Sequence, residues 1–235
     1  MMYDGFFRSR MPIGRYTDVA EGPVEQTTMA NVFDANLSRT LDVVVAILAL
    51  TILFPVILIF GICIFLQDGG WPIFVHRRIG RGGETFPCLK LRTMVRDSEE
   101  RLRRHLEANP AARAEWAMDQ KLRADPRITP LGQFLRKSSL DELPQLVNVL
   151  AGHMSLVGPR PIVAAEVARY GRYFRFYCAV RPGITGLWQV SGRNDTSYRR
   201  RVAMDTVYSR RRSLSTDISI LVRTVPAVLA SKGSF

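Results

Sequence analysis

The chain has 235 residues, 47% of them apolar, which is enough to bury a sizeable core and excludes a disordered protein. Its formal net charge is +12, so the partner classes to weigh are nucleic acid, anionic lipid headgroups and phosphorylated small molecules. Three cysteines (Cys63, Cys88, Cys178) and three histidines (His76, His105, His153) stand at wide, irregular spacing, which argues for reduced thiols in a cytosolic setting and against a disulfide frame or a zinc site.

Residues 1–30 carry scattered Gly, Pro and Thr with no apolar period and read as a mobile tail. From Val43 to Leu66 run 24 residues without a charge, long enough at about 1.5 Å per residue to cross a hydrocarbon core of roughly 30 Å. Residues 1–42 hold four arginines against six acids, while the part after the run holds the remaining 29 basic and 15 acidic residues. The positive-inside rule therefore places the C-terminal part in the cytoplasm. Pro55, in the middle of the run, deletes a backbone hydrogen bond. Two readings follow: a straight or kinked span, favoured by the residues alone because spanning helices tolerate proline, and a helix that dips in and returns.

Beyond the run, Ile73 to Arg78 and Thr85 to Leu91 are two β-like stretches joined by Gly80, Gly82 and Gly83, predicting a small hairpin whose glycines serve the turn. Charge and alanine alternate with spaced leucines from Arg96 to Ala124, which suits one or two half-buried helices. Thr129 followed by Pro130 predicts a helix start. Further on come the tight GPRP at 158–161, a helix from about Val163 to Tyr177, and the loop RPGITGLWQVSGRN. A strongly basic helix around Tyr198 to Arg212 and an apolar one over DISILVRTVPAVLA close the chain. The last is too short to span and suits either the headgroup plane or the core.

The chemistry centres on SSLDELPQL, residues 138–146, where Asp141 and Glu142 are followed by Pro144. Ser139 and Glu142 fit a capping box, and acids in a first helical turn are held ionised. Such a carboxylate is a competent nucleophile or metal ligand and a poor general acid. Pro144 distorts or pins open the helix beside Asp141. Lys90 and Arg92 alternate on the candidate strand, Arg136 stands five residues before Asp141, and Arg160 is clamped between Pro159 and Pro161. A rigid Pro-Arg-Pro suits a bidentate grip on phosphate. Ionised acids beside fixed arginines in a membrane-bound protein suggest phosphoryl transfer, with a divalent ion bridging carboxylate and diphosphate.

The stretches KLRTM, DPRITPLGQFLRKSSLDELPQL, NVLAGHMSLVGPRP and RPGITGLWQVSGRN closely resemble the bacterial sugar transferases, the monotopic polyprenyl-phosphate hexose-1-phosphate transferases, from about residue 36 onward. The resemblance implies an α/β fold, mainly α with a small β-hairpin or sheet. It divides the chain into a tail (1–32), a re-entrant membrane helix broken at Pro55 (33–68) and a cytoplasmic catalytic domain (69–235) on the bacterial inner membrane. It further implies that Asp141 attacks the β-phosphate of a UDP-hexose, galactose or glucose, releasing UMP, and that undecaprenyl phosphate then takes the phosphosugar. Glu142 would hold Mg2+, with Mn2+ as a substitute. Lys90, Arg92, Arg136 and Arg160 would bind substrate, while Pro55, Pro144, Pro159 and Pro161 shape the chain, Pro144 turning Asp141 toward the membrane interface. Membrane lipids and a second copy of the chain join the expected partners, and nucleic acid does not. His153 and the YSRRRS stretch at 208–213 depart from the family pattern and bear on sugar choice and lipid contact. A tethered basic module that binds anionic lipid or nucleic acid without catalysis is the competing reading.

Overall fold

The computed structural model describes residues 29–119, 122–192 and 196–229. The tail expected over residues 1–32 lies outside them up to residue 28, as do residues 193–195 of the SGRN stretch. Residues 29–32 already belong to helix α1, Met29–Asp68, which continues as one helix through Pro55, where the resemblance implied a break. Over Asn36–Asp68 it is long and apolar enough to cross a membrane. The rest is mainly helical with two small sheets.

Both ends of α1 are tied to the body that follows. Near its start, Arg39 donates to the carbonyls of Leu150 and Met154. Asp42, just before the uncharged run, is 4% exposed. It accepts hydrogen bonds from Ser155 Oγ and Leu156 N, each at 2.8 Å, and so satisfies two buried donors. At the other end Asp68 receives a two-pronged grip from Arg92, with N···O distances of 2.6 and 2.5 Å. Ile64 packs with Leu91 and Leu135 there. Between the two anchors Ile52, Phe54 and Ile59 are exposed, an apolar surface that water would penalise and lipid would not.

The predicted hairpin is present. Strands β1 (Ile73–Ile79) and β2 (Thr85–Leu91) pair antiparallel, with Arg78 opposite Phe86, His76 opposite Cys88 and Phe74 opposite Lys90. Partners directly opposite share a face, so Arg78, His76 and Lys90 project from one side. Gly82 and Gly83 turn the chain at φ +69° and +75°, values open to glycine at no steric cost. Helices α2 (Ser98–Ala108) and α3 (Pro110–Asp119) follow as two surface segments. Helix α4 (Pro130–Lys137) starts as expected, with Thr129 Oγ1 accepting from Gly132 N at 2.9 Å.

The second sheet is a parallel pair, β3 (Ser155–Val157) and β4 (Gly183–Thr185). Its glycines set the spacing: a Cβ on Gly158, Gly183 or Gly186 would overlap backbone atoms of the facing segment. Small residues at these points let Pro159 accept from Gly183 N at 2.8 Å.

The helix expected from about Val163 to Tyr177 is instead a broken series. A 3-10 turn over Ala164–Glu166 precedes α6 (Val167–Tyr170), then a second turn and α7 (Phe174–Ala179). Gly171, at φ +49°, interrupts it. Tyr170, Phe174 and Tyr177 all enter one buried cluster with Ile79 and Ile162. The basic helix α8 (Tyr198–Arg211) and the apolar α9 (Leu214–Leu229) stand where predicted. Helix α9 divides its surface: Ile220 is buried in the core while Ile218, Val222 and Val225 are exposed.

Candidate active site

The acidic pair sits on a 3-10 turn, Leu140–Glu142, between α4 and α5 (Gln145–Leu150). The capping box expected at Ser139 does not form. Ser139 takes a left-handed conformation at φ +58°, with no cap hydrogen bond from its side chain. Among the described residues it is the one non-glycine residue with positive φ. The left-handed turn costs a non-glycine residue roughly 1–2 kcal/mol, and it reverses the chain so that the next turn meets β2. Pro144, which has no N–H to continue that turn, opens α5. The helix is thus split at the proline, and the two acids occupy a turn of their own.

Lys90, next to last in β2, reaches both acids. Its Nζ lies 2.6 Å from Glu142 Oε1 and 3.6 Å from Asp141 Oδ2. The two carboxyls are pushed apart in acidity. Burial raises Asp141 above its ordinary value, with Lys90 opposing. For Glu142 burial acts in the same upward sense, yet Lys90 and Arg160 hold it below the usual range. The sequence reading of a helix start that ionises both acids is corrected for Asp141: it is 7% exposed, and desolvation disfavours its charge.

Lys90, Glu142 and Arg160 line one shallow cleft together with Arg78, Gln145 and Gln189. Three cations face one carboxylate there, a surplus that suits a multiply charged anion. Gln145 is nearly buried, at 3% exposed, and points a neutral amide into the same space. His76 beside them has its pKa pushed down to about 4 by burial and then by Arg78 and Lys90, so it adds no charge near neutral pH.

Arg92 and Arg136 stand apart from the cleft, and Asp141 is not among the residues that line it. Arg92 spends its guanidinium on Asp68 and on the carbonyls of Ile64 and Gly70, which locks the end of α1 two residues from Lys90. Arg136 donates from Nε to Thr93 Oγ1 at 2.9 Å. Its burial works against the guanidinium charge while nearby Asp141 supports it. Arg160 has no hydrogen-bond or ion-pair partner among the described residues, so its five N–H donors are available. Pro159 and Pro161 flank it, and Pro161 lends its carbonyl to Arg78.

Arg78, Gln145 and Gln189 were missed as site residues. Arg78 carries a sequence signal: it alternates with His76 on β1, and the hairpin register puts it on the same face as Lys90. Of the positions that depart from the family pattern, His153 stacks on Phe86 with ring centroids 5.7 Å apart, and Tyr208 is buried 2.7 Å from Asp217 Oδ1. Neither lines the cleft.

Among the described residues no group of three or more His, Cys, Asp or Glu is placed to hold a metal. The donors present are two adjacent hard carboxylates. That set fits Mg2+, which commonly takes one or two carboxylates and completes its shell with substrate phosphate and water.

A family profile described as "Bacterial sugar transferase" matches residues 33–231. The chain is 53% identical over 201 residues to the UDP-galactose-lipid carrier transferase of Erwinia amylovora, covering 85% of this chain and 42% of that protein. It is 50% identical over 197 residues to the exopolysaccharide production protein ExoY of Sinorhizobium fredii, covering 84% and 87%. Against the undecaprenyl-phosphate galactose phosphotransferase of Salmonella typhimurium it is 49% identical over 210 residues, covering 89% and 44%. The chain thus spans less than half of two of these relatives and most of the third. On a profile match that takes in α1, the acidic turn and the cleft together, this chain belongs to the bacterial sugar transferase family.

Proposed function

We propose that this enzyme transfers a hexose 1-phosphate from a UDP-hexose, galactose or glucose, to undecaprenyl phosphate, the first membrane step of exopolysaccharide synthesis. The observation that carries the reading is Lys90 seated between Asp141 and Glu142 on the wall of a cleft with surplus positive charge. A basic cleft alone would bind an anion. A carboxylate of raised basicity beside it supplies a nucleophile as well.

In the proposed cycle an Asp141 oxygen attacks the β-phosphorus of the donor. The bond from that phosphorus to the oxygen bridging the two phosphates breaks, and UMP leaves with the oxygen. The phosphosugar stays on Asp141 as an acyl phosphate. A phosphate oxygen of undecaprenyl phosphate then attacks the same phosphorus, the bond to Asp141 breaks, and undecaprenyl-diphospho-hexose departs with the carboxylate regenerated. No proton is gained or lost by Asp141 in either step, which suits a residue with no hydrogen-bond donor of its own. Glu142, with diphosphate oxygens, would hold Mg2+, which supplies charge neutralisation at the phosphates. Arg160 and Lys90 bind and orient the diphosphate.

The membrane part of the reading is that α1 enters the bilayer, bends at Pro55 and returns, leaving both ends and the catalytic domain on the cytoplasmic face of the inner membrane. Its support is the pair of anchors at Arg39/Asp42 and Asp68/Arg92 on the same body, with exposed apolar side chains between them. A spanning helix would have to surrender one anchor, exposing buried Asp42 or the fork on Asp68. A cysteine introduced at Ala20 is therefore expected to resist an impermeant thiol reagent in intact cells and to react after permeabilisation. Labelling from outside would replace the re-entrant arrangement with a span. The activity itself is tested by UMP release across a panel of UDP-sugars with undecaprenyl phosphate present. Turnover with UDP-galactose or UDP-glucose is expected, and no release from any UDP-hexose would refute it.

A further inference from the structure

Arg78 enters the cleft from near the end of β1, and its surroundings are unlike those of a packing arginine. It donates through Nη1 to the Pro161 carbonyl and through Nη2 to His76 Nδ1, each at 3.1 Å. Two of the five guanidinium N–H groups are spent this way, and three remain for a ligand. Arg78 and Arg160 line the same cleft, and burial, then Arg160, work against the charge of Arg78. Such a pair is costly without a counter-charge.

Glu166 supplies it. One carboxylate oxygen, Oε2, lies 3.9 Å from Arg78 Nη1 and accepts from Val163 N at 3.0 Å. The other, Oε1, lies 3.6 Å from Arg201 Nη1. Arg201 is itself held between the rings of Trp188 and Tyr198, at 5.0 and 5.2 Å, and near Asp205 at 3.8 Å. The carboxylate is thus fixed from two sides, by helix α8 and by the backbone N–H of Val163, just after Pro159-Arg160-Pro161. Its position fixes Arg78 in turn.

The geometry points to Arg78 as a diphosphate-binding residue that grips the nucleotide-sugar together with Arg160, and to Glu166 as the positioning residue that aims Arg78 and carries its counter-charge. This rests on the function proposed above. Glu166 touches no substrate. A two-arginine fork from different segments reads the spacing of a diphosphate, where a single arginine reads one phosphate.

The test uses full-length enzyme in lipid nanodiscs with R78K, E166D and the double variant, both substitutions preserving charge so that only geometry changes. KM for the UDP-hexose in UMP release is expected to rise about tenfold in each single variant, with kcat at saturating donor within about threefold of wild type. The double variant is expected to match R78K alone, because Glu166 acts through Arg78. A wild-type KM in R78K overturns the assignment whatever E166D does. Multiplying effects in the double variant, or a loss confined to kcat, overturns the role of Glu166. A wild-type enzyme that releases no UMP from any UDP-hexose removes the proposed function and this inference with it, whereas an active wild type with an indifferent R78K removes this inference alone.

Discussion

Asp141→Asn is expected to abolish UMP release, with turnover falling by at least about a thousandfold, because an amide is no nucleophile toward phosphorus and no other carboxylate can take its place. Glu142 is the nearest alternative, but its carboxylate is tied to Lys90 at 2.6 Å and its acidity is increased rather than reduced, which makes it the weaker base of the pair. The substitution is nearly isosteric, so the fold and membrane association should persist. Mass spectrometry of wild-type enzyme mixed with donor alone is expected to find the mass of one phosphosugar on the peptide containing residue 141, and to find none in the variant. Product formation at wild-type rates by the variant would falsify the nucleophile assignment. An adduct on residue 142 would move the assignment there.

Much of this site could be read from residue order because its parts are local. The hairpin follows from a period of two on either side of glycines, and the start of α4 from Thr129 and Pro130. What failed were the places where tertiary pairing overrides a local rule. Ser139 and Glu142 have the spacing of a capping box, yet Glu142 is claimed by Lys90, 52 residues away, and Ser139 gives up helical geometry to allow it. Asp42 and Asp68 look like the polar ends of an apolar run. Beside local contacts to Arg39 and Gly70, their partners Ser155, Leu156 and Arg92 are set by the folded body. Arg92 was grouped with Lys90 for their two-residue spacing, but β2 ends at Leu91, so the strand alternation that would have put both on one face stops just before it. Arg78 and Glu166 are 88 positions apart and meet only because β1 lies beside the segment after Pro161.

Lys90 carries the second large effect, and its pH dependence has a definite sign. It draws both carboxyls toward ionisation. In Lys90→Met that pull is lost while burial remains, so the acid range of Asp141 moves up and that of Glu142 follows. In the proposed cycle Asp141 must be ionised, so activity is expected above its folded-state pKa and is lost as pH falls through it. The acid limb of kcat/KM against pH is therefore expected to shift to higher pH in Lys90→Met, with at least about a hundredfold loss at neutral pH from the missing charge-assisted contact to phosphate. Lys90→Arg retains a charge but not the compact ammonium that fits between both acids at 2.6 and 3.6 Å, and is expected to recover the pH profile more than the rate. A Lys90→Met enzyme with an unshifted acid limb would show that burial alone sets the acidity of Asp141.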